Sequence, residues 1–325
     1  MACFLNLDVA RRFAYNRAVM VSTGGGLTAS TRICAVVGHP VRHSASPAMQ
    51  NAGIAALGLD WRYVALEVRP EDLGAAIQGA GAMGFIGLNL TVPHKLLAFE
   101  LVDLLDESAR AWGAVNTIRF EGLDAGGAWR PLAEFKTEAP REVRTHGFNT
   151  DADAIVQSLR EDLGLEPRGA RVLVLGAGGA GRVAALRLAR AGVRALFLVN
   201  RTRSKAEEVA VAIRQREPGV EVEVGYPTGG VDLVLNATSA GLRAGDSLPW
   251  DPSAFELRQA KAVYDMIYRP AETPLLRRAT EAGCRTANGL GMLLYQGAKA
   301  LELWSGQRAP VEVMREALRK HVYGD

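Results

Sequence analysis

Ala170-Arg171-Val172-Leu173-Val174-Leu175-Gly176-Ala177-Gly178-Gly179-Ala180-Gly181, an alanine- and leucine-rich run on to Gly192, and then Leu196 to Val199 form the stretch that decides how this chain is read. An apolar run of strand length meets a glycine-rich turn, a helical pattern and a second apolar run, which is the order of a βαβ unit. Gly176, Gly178 and Gly181 have the spacing G-x-G-x-x-G. In that fingerprint one glycine makes the tight turn, one lets the backbone approach a pyrophosphate, and one lets the helix pack on the strand. The first N–H groups of the helix then face the phosphates. Glycine-rich turns before helices also serve ordinary packing, but here the strand, the helix and the second strand all stand where the fingerprint needs them.

The residues after the second run narrow the cofactor. A chain that binds NAD usually places Asp or Glu about twenty residues on, where the carboxylate takes the ribose 2′-hydroxyl. This chain has Asn200-Arg201-Thr202-Arg203-Ser204-Lys205 instead. A carboxylate would repel a 2′-phosphate, whereas Arg201 and Lys205 would pair with it and Thr202 could donate a hydrogen bond. NADP is therefore expected over NAD. A solvated helix start capped by Thr202 or Ser204 is compatible with the same residues.

With 325 residues, 48% of them hydrophobic, the chain can bury one large or two medium cores, and two domains are expected. The net charge of +3 comes from mixed signs without a long basic run, so a nucleic-acid partner is not implied. Three widely spaced cysteines, Cys3, Cys34 and Cys284, fit neither a disulfide framework nor a zinc site and point to a reducing cytoplasm. No apolar run approaches the roughly twenty residues that span a bilayer, so no membrane role is expected. Met1 to Met20 lacks the long apolar core of a secretory signal, and Ser22 to Ser30 has linker composition. Residues 1–30 are read as a flexible appendage, with a start at Met20 as an alternative.

From Thr31 the chain alternates strand and helix signals, as α/β domains do. Ile33 to Val37 is a strand candidate ending in Gly38-His39-Pro40-Val41-Arg42-His43-Ser44-Ala45-Ser46-Pro47. Ser46 before Pro47 reads as an N-cap with proline at the first helical position, which puts the hydroxyls of Ser44 and Ser46 beside a helix N-terminus, a seat for a carboxylate or phosphate. Plain capping and turning explain the two serines equally well. Trp61 to Val68 and Gly84 to Leu90 are further strands, the latter opening through Asn89-Leu90-Thr91-Val92-Pro93-His94-Lys95 into a helix over Leu96 to Val102. Lysines are usually solvated, but a strand end opening into a helix is where open α/β sheets place ligands. Asp151 follows Asn149-Thr150 and precedes a helix over Ala152 to Leu163, where capping is the commonest job for aspartate. Downstream, strands are expected at Val231 to Leu235, Ala262 to Met266 and Arg285 to Ala287, and helices up to Arg216 and over Pro274 to Ala282, Met292 to Trp304 and Val311 to Tyr323.

Taken together, Gly38-His39-Pro40 with His43 to Pro47, Asn89 to Lys95, Gly113-Ala114-Val115-Asn116-Thr117, Asn149-Thr150-Asp151, Gly176 to Gly181, Asn200-Arg201-Thr202, Asn236-Ala237-Thr238-Ser239, Asp265-Met266-Ile267-Tyr268 and Asn288 to Gln296 resemble the shikimate dehydrogenase family. The resemblance covers nearly everything from Thr31 onward. It implies a two-domain α/β fold: a catalytic domain from residues 31–151 plus 288–325, and a doubly wound Rossmann-type domain from residues 152–287. The implied reaction is the reversible, NADPH-dependent reduction of 3-dehydroshikimate to shikimate, without a metal. Lys95 and Asp151 would be the catalytic pair. Ser44, Ser46 and Tyr268 would hold the substrate carboxylate, and Asn89, Thr91, Asn116 and Gln296 the ring hydroxyls. Gly176, Ala177, Gly178, Gly179, Ala180, Asn200, Arg201, Thr202, Lys205, Thr238, Met266 and Gly289 would line the cofactor site. A homodimer is left open.

The chain departs from the family pattern at Gln50-Asn51, where His-Asn is usual, at Leu90 in place of valine and at Ala154 in place of glycine. It also departs over Gly122 to His146, which reads as an extended hairpin or surface excursion. Two rivals remain. A quinate or quinate/shikimate dehydrogenase, or an aminoshikimate relative, would share Lys95 and Asp151, although Arg201 and the absent acidic residue disfavour an NAD-dependent quinate enzyme. A catalytically idle NADP-binding sensor is the more distant alternative.

Overall fold

The computed structural model describes residues 27–136, 138–243 and 245–324, so the readings of residues 1–26 lie outside it. The chain divides after Thr31, and the second unit, from Arg32 onward, is compact. In the second unit, β1 (Arg32–Gly38), β2 (Trp61–Glu67) and β3 (Gly87–Leu90) run parallel. They are joined by α1 (Ser46–Ala56) and α2 (Leu73–Ala82). After α3 (His94–Leu101), the two-residue β4 (Leu104–Leu105) and α4 (Glu107–Trp112), the chain turns antiparallel through β5 (Thr117–Leu123), β6 (Trp129–Pro131) and β7 (Val143–Phe148). The strand order is β2-β1-β3-β5-β7-β4, with β6 on β5.

Strand side chains alternate between the two faces. Ala35, Val37, Leu88, Leu90, Ile118 and Phe120 pack with Leu73 and Ile77 of α2 and Ala98 of α3. Cys34, Val36, Tyr63 and Ile86 face the other way. They meet Met49 and Ile54 of α1, Leu294, Leu301 and Trp304 of α9 (Leu290–Ser305), and Met314 and Leu318 of α10 (Val311–Tyr323).

The second sheet is wholly parallel. Its strands are β8 (Arg171–Leu175), β9 (Ala195–Val199), β10 (Glu221–Val224), β11 (Val231–Asn236), β12 (Ala260–Asp265) and β13 (Arg285–Asn288), in the order β10-β9-β8-β11-β12-β13. Crossover helices cover both faces, which is why the inner strands β8, β9 and β11 read as apolar runs. Val172, Val174, Leu196 and Leu198 pack under α5 (Asp151–Leu163), α6 (Gly179–Arg190) and α7 (Arg203–Arg216). Leu173, Leu175, Phe197 and Val263 pack under α8 (Pro274–Glu281). The order reverses between β9 and β11 on either side of β8, and such a switch point opens a crevice at the carboxyl ends of the strands.

The structure moves several helix starts. Ser46 is not an N-cap: Ala45 holds that position without a side-chain cap, and Ser46 opens α1 while its N–H donates to Ser44 Oγ at 3.3 Å. Thr150, not Asp151, is the N-cap residue of α5, and Lys95 lies inside the first turn of α3. Thr202 stands at the N-cap of α7, but its side chain makes no capping bond. The excursion after β5 is an extended hairpin that returns to the core, where Leu132 and Phe135 are buried and Arg32 Nη1 donates to both of their carbonyls.

Candidate active site

Lys95 Nζ donates to Asp151 Oδ2 at 2.7 Å. The two residues are 56 positions apart and meet because β3 feeds α3 at the same edge of the sheet where β7 feeds α5. The backbone carbonyl of Lys95 accepts from Val115 N at 2.9 Å, pinning the first turn of α3 to the segment entering β5. Side-chain exposure is 12% for Asp151 and 33% for Lys95, so the carboxylate is nearly enclosed while the ammonium still reaches open space. The N-cap of α5 is occupied by Thr150, which leaves the Asp151 carboxylate free to take the ammonium.

The pair stands where two cavities meet. One, of about 250 Å³, is walled by Ser44, Ser46, Asn89, Thr91, Tyr268 and Gln296, with Ala180, Met266 and Gly289 on the side of the second sheet. The other, of about 460 Å³, is walled by Ala177, Gly178, Gly179, Ala180 and Lys205, and by Val92, Leu96, Trp112, Ile155, Val183 and Val209. Lys95, Asp151, Ala180 and Met292 line both. Asn116 lines neither: it is 1% exposed and lies one layer behind, bonded to Thr150. Gly176, Asn200, Arg201, Thr202 and Thr238 also lie outside both linings, but they follow β8, β9 and β11 at the same carboxyl edge. Arg201 and Thr202 are exposed there.

The glycine-rich turn has the shape a dinucleotide needs. Gly176 has φ +102, and a Cβ there would stand 2.9 Å from Thr238 Cγ2. A Cβ on Gly181 would run into the carbonyl oxygen of Gly176, so only glycine lets α6 sit this close to β8. At Gly178 and Gly179 a Cβ would meet nothing, so the space they leave is open to a ligand. Gly178 caps α6 without a side chain, which leaves first-turn N–H groups to receive phosphate oxygens. Asn200 ties this turn to the next, accepting from Ala177 N at 3.0 Å and donating to Thr202 O at 2.8 Å.

Sequence reasoning missed the layer behind these walls. Tyr63 Oη donates to Asn89 Oδ1 at 2.7 Å, Asn89 Nδ2 to Thr117 Oγ1 at 3.0 Å, Thr117 Oγ1 to Asn116 Oδ1 at 3.1 Å, and Asn116 Nδ2 to Thr150 Oγ1 at 2.9 Å. This buried row links β2 to the residue before Asp151. Beneath the second sheet's edge, fully buried Asp265 accepts from Asn236 Nδ2, Ile267 N and Thr273 Oγ1. Burial raises its pKa above the usual carboxylate range, against those three hydrogen bonds. Asn236 in turn accepts from the Thr238 hydroxyl at 2.8 Å. A partial signal existed for Asp265, which sits in a quoted motif, but none marked Tyr63.

Comparison with known proteins places the chain in a family. The model of the shikimate dehydrogenase substrate-binding domain matches residues 36–118, that of shikimate/quinate 5-dehydrogenase residues 159–240, and that of the shikimate 5′-dehydrogenase C-terminal domain residues 289–319. The NADP(+) shikimate dehydrogenase of Methanopyrus kandleri is 38% identical over 309 residues, 93% of this chain and 100% of that protein. A crystal structure of a shikimate dehydrogenase in complex with NADP+ superposes with a TM-score of 0.78 at 34% identity, covering 92% of this chain and 99% of that one. A quinate dehydrogenase from Corynebacterium glutamicum in complex with NAD superposes with a TM-score of 0.73 at 30% identity, covering 88% and 98%. With matching domain models in the same order along the chain, and with identity of this level over nearly its whole length, the chain belongs to the shikimate dehydrogenase family.

Proposed function

We propose that this protein is an NADP-dependent shikimate dehydrogenase in which Lys95 and Asp151 are the catalytic pair. The observation that carries the reading is the 2.7 Å ion pair at the junction of the two cavities, one walled by hydroxyls and amides and the other by the glycine-rich turn. In this reading residues 31–151 with 288–325 bind substrate, and residues 152–287 bind NADP.

NADPH, when bound, supplies the hydride that reduces the substrate ketone. As charge builds on the ketone oxygen, the Lys95 ammonium stabilises it and delivers the proton. Asp151 holds the ammonium in line through its 2.7 Å bond. In the reverse direction Lys95 takes the hydroxyl proton. Ser44, Ser46 and Tyr268 line one cavity together, which supports their holding a carboxylate, and Asn89, Thr91 and Gln296 stand on the same cavity for the ring hydroxyls. Asn116 acts from behind the wall, through Thr150. Gly178 to Ala180 would hold the pyrophosphate of NADP at the N-terminus of α6, and Arg201, Thr202 and Lys205 would hold its 2′-phosphate. No helix among the described residues is long and apolar enough to cross a membrane, and Cys34 and Cys284 are free thiols, which supports a reducing, cytoplasmic setting.

The second reading, quinate oxidation with NAD, has a structural relative but lacks an acidic residue after β9, where Asn200-Arg201 stands. Assays of the purified protein with shikimate and with quinate, each with NADP+ and with NAD+, decide between them. The expected result is turnover fastest with shikimate and NADP+. Quinate with NAD+ as the best pair would reverse the assignment.

A further inference from the structure

We propose that Tyr323, in the last turn of α10, is a positioning residue for the substrate cavity. Its hydroxyl is a two-way bridge. It donates to the backbone carbonyl of Tyr268 at 2.9 Å and accepts from Asn288 Nδ2 at 2.8 Å. Tyr268 is a wall of the 250 Å³ cavity, and Asn288 immediately precedes Gly289, another wall. From Gly289 the chain enters α9, which brings Met292 and Gln296 to the same cavity.

The segment that carries Tyr268 leaves β12 after Asp265 and returns at α8, so it needs anchors of its own. Behind Tyr268, Gly289 N donates to Ile267 O at 3.1 Å. Beyond it, Asn288 Nδ2 donates to Ala271 O at 2.8 Å. The neighbouring Arg269 reaches the end of α10, where Nη2 donates to the carbonyls of His321 and Val322 at 3.4 Å each. A guanidinium at a helix C-terminus meets the negative end of the helix dipole and carbonyls that have no partner within the helix. Arg269 and the Tyr323 hydroxyl fasten the Tyr268 segment to α10. Met314 and Leu318 in turn seat α10 in the same core as Met49 and Ile54 of α1, the helix that Ser46 opens. One packed path from the Ser44 and Ser46 wall to the Tyr268 wall runs through α9 and Gly289, and a second runs through α10 and closes on the Tyr323 hydroxyl.

The assignment deepens the reading of Tyr268 as a contact for the substrate carboxylate and rests on it. A misplacement of about 1 Å at a binding group is enough to weaken substrate use markedly, even when the displaced support lies outside the site. Tyr323→Phe keeps the ring and removes the hydroxyl that makes the bridge. Both hydrogen bonds of the bridge are lost, and the displaced Tyr268 wall predicts a KM for shikimate, and a Kd for it by calorimetry, about three- to tenfold higher. The expected kcat and KM for NADP+ stay within about twofold, because the chemistry and the glycine-rich turn are untouched. A role confined to packing the helix end would leave the shikimate constants unchanged in the Phe variant.

The test measures steady-state kinetics, shikimate calorimetry and thermal melts on the full chain, on Tyr323→Phe and on Tyr268→Phe. A selective rise in the shikimate constants of Tyr323→Phe, with a melt unchanged or lower only by the few degrees that the lost hydrogen bonds cost, supports the proposal. Unchanged shikimate constants in Tyr323→Phe beside raised ones in Tyr268→Phe overturn it and leave the dehydrogenase reading intact. A lowered melt with equal losses for both ligands overturns it as well, since that is the mark of a loosened helix. If the unaltered protein neither binds nor turns over shikimate, both readings fall together.

Discussion

Replacing Asp151 by asparagine tests the catalytic pair with the least disturbance. The side chain keeps its size, and Thr150 remains at the N-cap, so α5 keeps its start. What disappears is a full charge 2.7 Å from Lys95 Nζ. At an effective dielectric of about 20, two unit charges at that separation attract by roughly 6 kcal/mol gross. Solvent reaches a third of the Lys95 side chain, so the net value is that of a charge-assisted hydrogen bond, about 1.5–3 kcal/mol. Loss of a carboxylate from the first turn of a helix adds about 0.3–1 kcal/mol. The variant should therefore melt only a few degrees lower, while kcat falls on the order of 10²-fold or more because the ammonium is no longer aimed. Stopped-assay kinetics beside a denaturant melt separate the two effects. A kcat within about threefold of the unaltered enzyme, at intact stability, would refute the reasoning, because Asp151 would then serve only the helix. Adding Lys95→Ala should cost little beyond either single change, as expected of groups that act as a unit.

Arg201→Ala should weaken NADP+ binding by about 1.5–3 kcal/mol and leave NAD+ use nearly unchanged; equal affinity for NADP+ by fluorescence titration would remove Arg201 from the 2′-phosphate site. Ser44→Ala with Ser46→Ala should raise the KM for shikimate much more than that for NADP+, and equal losses for both ligands would point instead to a damaged start of α1. Away from the cavities, burial pushes the Glu121 carboxyl up, but hydrogen bonds from His146, Arg119 and Arg144 more than reverse this and hold its pKa at about 2. Its folded value lies below the ordinary 4.5, so this stability is present above pH 4.5 and is lost as pH falls towards 2. Glu121→Gln should cost roughly 3 kcal/mol at neutral pH and flatten that acid limb; denaturant midpoints that run parallel for both proteins from neutral pH to pH 3 would contradict it.

What the sequence makes legible follows from how local its signals are. The strands of the second sheet announce themselves because both of their faces are buried, and the glycine spacing because the backbone alone forces it. β10 escapes notice since Glu221-Val222-Glu223-Val224 lies at the sheet edge with only Val222 buried, too short and too polar to read as an apolar run. α4 is six residues long, with its Asp106 cap and its Gly113 exit at φ 65 packed too closely to show a helical period. Ser46 misleads because serine before proline is a common cap pattern, whereas here the helix begins one position earlier and the hydroxyl is left for the cavity. Lys95 and Asp151 each stand at a strand-to-helix junction that the pattern reveals, but their meeting depends on sheet order, which the resemblance supplied and local pattern could not. Tyr63 and Tyr323 act through partners 26 and 55 residues away, and no local rule reaches that far.

The buried row from Tyr63 to Thr150 has a fixed polarity, and one backbone group sets it. Thr150 N can only donate, and it does so to Asn116 Oδ1 at 2.8 Å, which fixes the amide of Asn116. That oxygen also takes the Thr117 hydroxyl proton, so Thr117 Oγ1 must accept from Asn89 Nδ2. The second hydrogen of the Asn89 amide points to Asn116 O at 3.4 Å, and Tyr63 donates to Asn89 Oδ1. Both hydrogens of Asn89 are thus committed to the protein, and its remaining capacity towards the cavity is a lone pair. On the proposed function, the wall at Asn89 would read a donor: a ring hydroxyl would satisfy it, whereas a carbonyl or ether oxygen at the same place would face acceptor against acceptor. In that reading, a peptide N–H at the start of α5 therefore helps decide, through the side chains of Asn116 and Thr117, which oxygen chemistry the cavity accepts at Asn89.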